Sequence, residues 1–147
     1  MNLSDSFTLE QLTVSSIGLR KGIPNVPDAD QIENLKLLAQ ALERVQHIVG
    51  PIHIDSAFRS PRVNQAVGGS AHSAHLDGYA CDFTAPGFGS PVEVCKAIAG
   101  AGISFDQLIC EGTWTHLSVD PRMRGEVLTA HFANGKVAYT QGLEVVA

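Results

Sequence analysis

The segment HSAHLDGYACD, residues 72–82, puts two histidines, two aspartates and a glycine within eleven residues. Imidazole and carboxylate are both common zinc ligands. His75 and Asp82 stand seven apart with Gly78 between them. A glycine bend lets such a loop fold back so that both side chains point inward. His116, in the later segment WTHLSV, brings the candidate ligands to three. Three protein ligands leave a fourth coordination position for water, the arrangement of a catalytic rather than a structural zinc. Zinc lowers the pKa of a bound water to about 7. A neighbouring carboxylate can then take the proton and pass it to a leaving amine. Glu111 is the first candidate for that task, with Asp77 and Asp106 as weaker substitutes.

These residues need elements to carry them. FDQLIC and WTHLSV read as two strands separated by a turn. With Gly112-Thr113 as a two-residue loop, Gly occupies the first central position that a type II′ turn favours. Glu111 then pairs with Trp114, Cys110 with Thr115 and Ile109 with His116. Because side chains alternate along a strand, Gln107, Ile109 and Glu111 share a face with Trp114, His116 and Ser118. Glu111 lies diagonal to His116, about 7–8 Å away by backbone position, while Asp106 has the opposite parity. The opening segment runs into a strand, Tyr79 to Thr84, and the motif itself is expected in a loop rather than on a helix.

Upstream, KGIPNVPDAD is an extended connection into a long helix capped by Asp28 or Asp30. Ile32, Leu35, Leu38, Leu42, Val45 and Val49 recur at three- and four-residue steps as one apolar stripe, and Gly50-Pro51 ends it. PIHIDSAFRS has the alternation of a half-buried strand. A short helix is expected over 61–67, stopped by Gly68-Gly69, and another from Ser90 and Pro91 to about Ala99 with Glu93 completing a capping box. EVLTAHFANGKVAYTQ is a hairpin turning at Asn134-Gly135. The expected order is helix, strand, small helix, strand, helix and four strands. It describes one α+β domain over residues 1–147, with helices on one face of a mostly antiparallel sheet.

The residues Ser73 to Asp82 fit S-x-H-x-x-G-x-A-x-D, which resembles the zinc motif of the D-alanyl-D-alanine metallopeptidase family. FRSPRVNQAVGGS is similar to the segment preceding that motif in the family's phage and bacterial branch, and FDQLICEGTWTHLS to its closing strand pair. The early LTVSSIGLRKGIPNVP, the long helix and the strand before Arg59 resemble that branch too, so the likeness spans roughly residues 8–120. The resemblance implies one zinc ion held by His75, Asp82 and His116, with Glu111 as general base. It implies that Arg59 holds a substrate carboxylate or steadies an oxyanion, as a planar guanidinium suits. Ser73 would hydrogen-bond near the substrate and Trp114 would line the pocket. The fold implied is the compact one shared with Hedgehog signalling domains, and the substrate class is peptidoglycan stem peptides, cut as a D-Ala-D-Ala carboxypeptidase or an endopeptidase. One departure matters. Many relatives carry an acidic residue three before the final histidine, where this chain has Thr113. That departure leaves a second reading open: a zinc-stabilised binding or structural module of a phage particle or cell-wall complex, without catalysis.

Other polar residues carry plainer expectations. His72 is a rim residue rather than a ligand; His47, His53 and His131 are surface or locally satisfied histidines. Asp55, four before Arg59, is a candidate to orient it. Cys81, Cys95 and Cys110 sit in apolar patterns with no C-x-x-C and read as core thiols. The 147 residues carry a net charge of −5 and no basic cluster, which speaks against nucleic acid or an anionic membrane as partner. The start, MNLSDSFTLEQL, has no basic patch leading into an apolar run. The expectation is a monomer made in the cytoplasm without a signal peptide, acting on the cell wall as a phage lysis or virion protein.

Overall fold

The structure is a computed structural model and describes residues 1–144. Five α-helices and a 3₁₀ turn accompany six strands: α1 (Leu9–Thr13), α2 (Ser16–Lys21), α3 (Ala29–Val49), β1 (His53–Ser56), α4 (Pro61–Ala66), the 3₁₀ turn Ala74–Asp77, β2 (Ala80–Thr84), α5 (Pro91–Gly100), β3 (Gln107–Cys110), β4 (Thr115–Ser118), β5 (Glu126–Ala133) and β6 (Lys136–Gln141). The strands form one sheet in the order β1-β2-β4-β3-β5-β6. Every neighbouring pair is antiparallel except β3 and β5, which run parallel. The fold is thus α+β with a mostly antiparallel sheet.

Asp28 caps α3: its carboxylate accepts from Gln31 N–H while the Gln31 side chain accepts from the Asp28 N–H. The expected stripe is the buried face of this helix, with Leu35, Leu38, Leu42, Val45 and Val49 inside and Ile32 packed against them. They meet Val94, Cys95 and Ile98 of α5 and the sheet face of Cys81, Phe83, Leu108, Cys110 and Leu117 in one continuous core. Fully burying each such side chain stabilises by about 1.5–3 kcal/mol before the entropic cost of ordering it. The opposite sheet face carries Asp82, Ile109 and His116. Among the described residues no helix is long and apolar enough to cross a membrane.

The β3–β4 hairpin has the register read from its turn, with Ile109 opposite His116 and Cys110 opposite Thr115. Gly112 has φ +79° at the first central position. At the β5–β6 turn both Asn134 and Gly135 have positive φ, as a type I′ turn requires. All three cysteines are free and buried.

Several expectations are corrected. The first is the direction of β5, which is not joined to β4 by a tight turn. Residues 119–125 instead carry the chain across, and Asp106 pins them, accepting from the Arg124 N–H at 3.0 Å and from its guanidinium at 2.9 and 3.0 Å. β5 therefore aligns parallel to β3. Two short N-terminal helices, capped by Thr8 and Ser15, were not expected; they are too short to show a periodic stripe. The strand expected through Phe58 stops at Ser56, after a bulge against β2. Ser90 caps α5 as expected, but Glu93 takes the Ser90 hydroxyl rather than the cap's backbone N–H.

Candidate metal centre

β2 and β4 are neighbours, and Asp82 lies directly opposite His116. Directly paired residues project to the same face. His116 Nδ1 reaches Asp82 Oδ1 at 2.9 Å, and an ionised carboxylate only accepts, so the nitrogen donates. The loop that was expected around His75 is a 3₁₀ turn. Ser73 caps it, accepting from the His75 N–H. Gly78 ends it at φ +81°, and a Cβ there would stand 2.9 Å from the Gln31 carbonyl oxygen on α3. Glycine is therefore required both by the backbone angle and by the close approach that seats the turn on the long helix.

His75 is almost wholly buried, and its Nδ1 lies 2.6 Å from the Ala57 carbonyl oxygen. That oxygen can only accept, so Nδ1 carries the proton and Nε2 presents its lone pair, 3.4 Å from Asp82 Oδ2. This outer hydrogen bond is of the kind that fixes the tautomer of a metal-binding imidazole. One ligand atom from each of His75, Asp82 and His116 lies within 4.8 Å of the others. Tetrahedral zinc with bonds of about 2.0–2.2 Å needs donor atoms roughly 3.3–3.6 Å apart. The 3.4 Å between His75 Nε2 and Asp82 Oδ2 falls within that requirement, and the 2.9 Å between His116 Nδ1 and Asp82 Oδ1 is a few tenths of an ångström shorter, as a direct hydrogen bond is. The donor set, two imidazoles and a carboxylate, fits zinc in chemistry and spacing.

The charges support one another. Burial alone would raise the Asp82 carboxyl, but the hydrogen bond from His116 prevails and holds it well below the usual carboxylate range. Burial likewise opposes a charged His116, yet Asp82 keeps that imidazole above its ordinary value. For His75 burial wins and the imidazole is pushed down.

Glu111 Oε1 lies 3.5 Å from His116 Nδ1, beside the triad. Burial raises its carboxyl above the ordinary value, against the pull of His116. Burial lowers the Arg59 guanidinium, and the charges of Asp82 and Glu111 offset this in part. Its Nη2 donates to Ser73 Oγ at 3.3 Å, while its buried Nε has no partner among the described residues. Trp114 is half-buried beside the β3–β4 turn, its ring 6.4 Å from that of Phe132.

Other candidates lie elsewhere. His72 and Asp77 are exposed, and Asp106 is engaged with Arg124. Thr113 is exposed in the turn. Asp55 makes no contact with Arg59 among the described residues; it is exposed and lies 3.4 Å from His53. His131 contacts Thr140 and Glu144.

Two contributors escaped the sequence reading. The Ala57 carbonyl leaves no side-chain signature. Asn25 binds Arg59's neighbours: its Nδ2 donates to Thr13 O at 2.7 Å and Phe58 O at 3.0 Å, and its Oδ1 accepts from the Ser60 N–H at 2.7 Å. Ser60 Oγ donates back to Pro24 O at 3.1 Å. A polar side chain between Pro24 and Pro27, in a stretch with few backbone donors, was the available signal.

A family model described as Peptidase M15 matches residues 5–118, from the N-terminal segment to the end of β4. No curated protein matches the chain.

Proposed function

The chain belongs to the peptidase M15 family, and from that premise we propose that it is a zinc-dependent peptidase hydrolysing amide bonds in peptidoglycan stem peptides, as a D-Ala-D-Ala carboxypeptidase or an endopeptidase. What carries the reading is the convergence of His75, Asp82 and His116 within 4.8 Å, beside a half-buried glutamate. His75 Nε2, Asp82 and, once its proton is displaced, His116 Nδ1 would hold the ion. Bound zinc supplies a Lewis acid that acidifies a water and polarises a carbonyl.

The chain's own residues supply the rest. Glu111 takes the proton from the attacking water and returns it to the departing amine nitrogen, for which a carboxyl raised toward neutrality is suited. Arg59, steered by Ser73, holds a substrate carboxylate or the developing oxyanion with donors that are fixed in advance. Trp114 bounds the pocket. The α+β architecture is consistent with the fold shared by D-Ala-D-Ala peptidases and Hedgehog domains. The protein would act as a monomer on the cell wall, delivered as a phage lysis or virion component.

Purified protein loaded with one zinc should release new peptide termini from isolated peptidoglycan, read by mass spectrometry. A preparation that holds zinc but yields no new termini, and no D-alanine from a D-Ala-D-Ala tripeptide, refutes the proposal. The non-catalytic alternative predicts that outcome.

A further inference from the structure

The hairpin of β5 and β6 lies beyond the residues matched to the family, yet it is continuous with the site. Cys110 is opposite Thr129 on β5, so the next row sets Glu111 beside Ala130, and Ala130 is opposite Tyr139 on β6. Glu111 N–H bonds Trp114 O at the other side. Trp114, Glu111, Ala130 and Tyr139 thus form one row across four strands, on the face that carries Asp82 and His116.

Ala130 is buried and forms the floor of this row. Tyr139 and Phe132 stand above it, about half exposed at 50% and 56%, with Val137 paired to Phe132. The Phe132 ring also abuts Gly112 in the turn beside Glu111. Large exposed apolar side chains are unremarkable when scattered, but here they are contiguous and end at the catalytic carboxylate. Burial, and after it the charges of Glu111 and Asp82, raise the Tyr139 phenol, which keeps it a hydrogen-bond donor.

Resting on the peptidase reading, we infer that the β5–β6 hairpin is a substrate-binding wall. Tyr139, Phe132 and Val137, with Trp114, hold the stretch of peptide that extends from the scissile bond away from Arg59. The strand order separates the two halves of the site. Arg59 follows β1 at one edge, the metal ligands lie on β2 and β4, and the hairpin forms the other edge. From His116 to the β6 row is three strand spacings, about 14 Å, which an extended peptide covers in about four residues. The occupant is therefore a peptide of four or more residues, lying across the strands.

Trp114 is the only tryptophan in the chain, so its fluorescence reports binding without turnover. Zinc-loaded protein carrying Glu111→Gln should be titrated with a stem pentapeptide and with D-Ala-D-Ala. Adding Tyr139→Ala should raise the pentapeptide Kd at least tenfold and the dipeptide Kd less than twofold; Tyr139→Phe should retain most of the affinity. Equal pentapeptide affinities with and without Tyr139→Ala overturn the inference. So does a wild-type wall that gives no saturable response, or a signal that follows protein concentration, which would mark a second copy as the occupant. Binding that depends on Tyr139 in a protein that cuts nothing keeps the wall and sinks the peptidase reading. Cleavage indifferent to Tyr139 does the reverse.

Discussion

Replacing Asn25 by aspartate is nearly isosteric, yet it should damage the protein more than replacing it by alanine. The amide nitrogen of Asn25 faces two carbonyl oxygens, Thr13 O at 2.7 Å and Phe58 O at 3.0 Å, while its oxygen accepts from Ser60 N–H at 2.7 Å. Alanine loses all three bonds, worth about 1 kcal/mol each, for a cost of about 2–3 kcal/mol. Aspartate keeps the acceptor for Ser60 but loses both donated bonds, about 2 kcal/mol, and turns a carboxylate toward two carbonyls in a half-buried place. That repulsion and desolvation add about 1–2 kcal/mol, so the total is about 3–4 kcal/mol at pH 7. For a chain of this size the melting temperature should fall by roughly 6–16 °C. The sign of the pH dependence follows. The carboxyl's folded-state pKa is raised above its unfolded value of about 3.9. The penalty is therefore full above the folded pKa, fades as pH falls through it, and is gone below the unfolded one, where a protonated carboxyl can donate again. Denaturant unfolding of wild type, Asn25→Asp and Asn25→Ala at pH 7 and near pH 4 measures this as a difference from wild type at each pH. The reasoning is refuted if aspartate is no worse than alanine at neutral pH, or if its deficit does not shrink in acid. Because Asn25 holds both neighbours of Arg59, the same variants should raise KM more than they lower kcat.

Glu111→Gln should lower kcat by about 10²–10⁴, the usual contribution of a general base, and leave zinc content near one per chain, whereas Thr113→Ala, in the exposed turn, should leave turnover near wild type; activity paired with metal analysis decides. His116→Ala should lose zinc on dialysis, and wild type stripped by a chelator should regain its stability on zinc addition, by about 2.7 kcal/mol at a hundredfold excess over Kd; equal metal retention in the two proteins would count against the ligand set. Arg124 holds the Asp106 carboxyl below its ordinary value, with burial opposing. That pairing therefore stabilises above about pH 4, the unfolded range, and is lost as pH falls through the lower folded value. Asp106→Asn should accordingly destabilise at pH 7 and flatten the acid limb of an unfolding-versus-pH curve.

The local features of this chain were legible because their causes are local. The Asp28 cap and the apolar stripe define α3 through contacts within a turn or two of helix. Gly112 fixes the register of the β3–β4 hairpin, because a two-residue loop dictates which residues face each other, and this brings Glu111 to the side of His116. The spacing of His75, Gly78 and Asp82 marked candidate ligands by chemistry alone. None of this determined which remote strands meet. That β2 lies against β4, with Asp82 opposite His116, follows from burying both strands' apolar faces on the same helices. That β5 runs parallel to β3 follows from residues 119–125 crossing at the end of the sheet where β4 stops and β3 starts, a crossing that Asp106 holds through Arg124. The lock on His75 comes from a backbone carbonyl that any residue possesses, and the hold on Arg59 comes from an asparagine 34 positions earlier. Hydrogen bonds to backbone and pairings between distant segments leave no periodicity in the sequence, so the folded chain alone decided them.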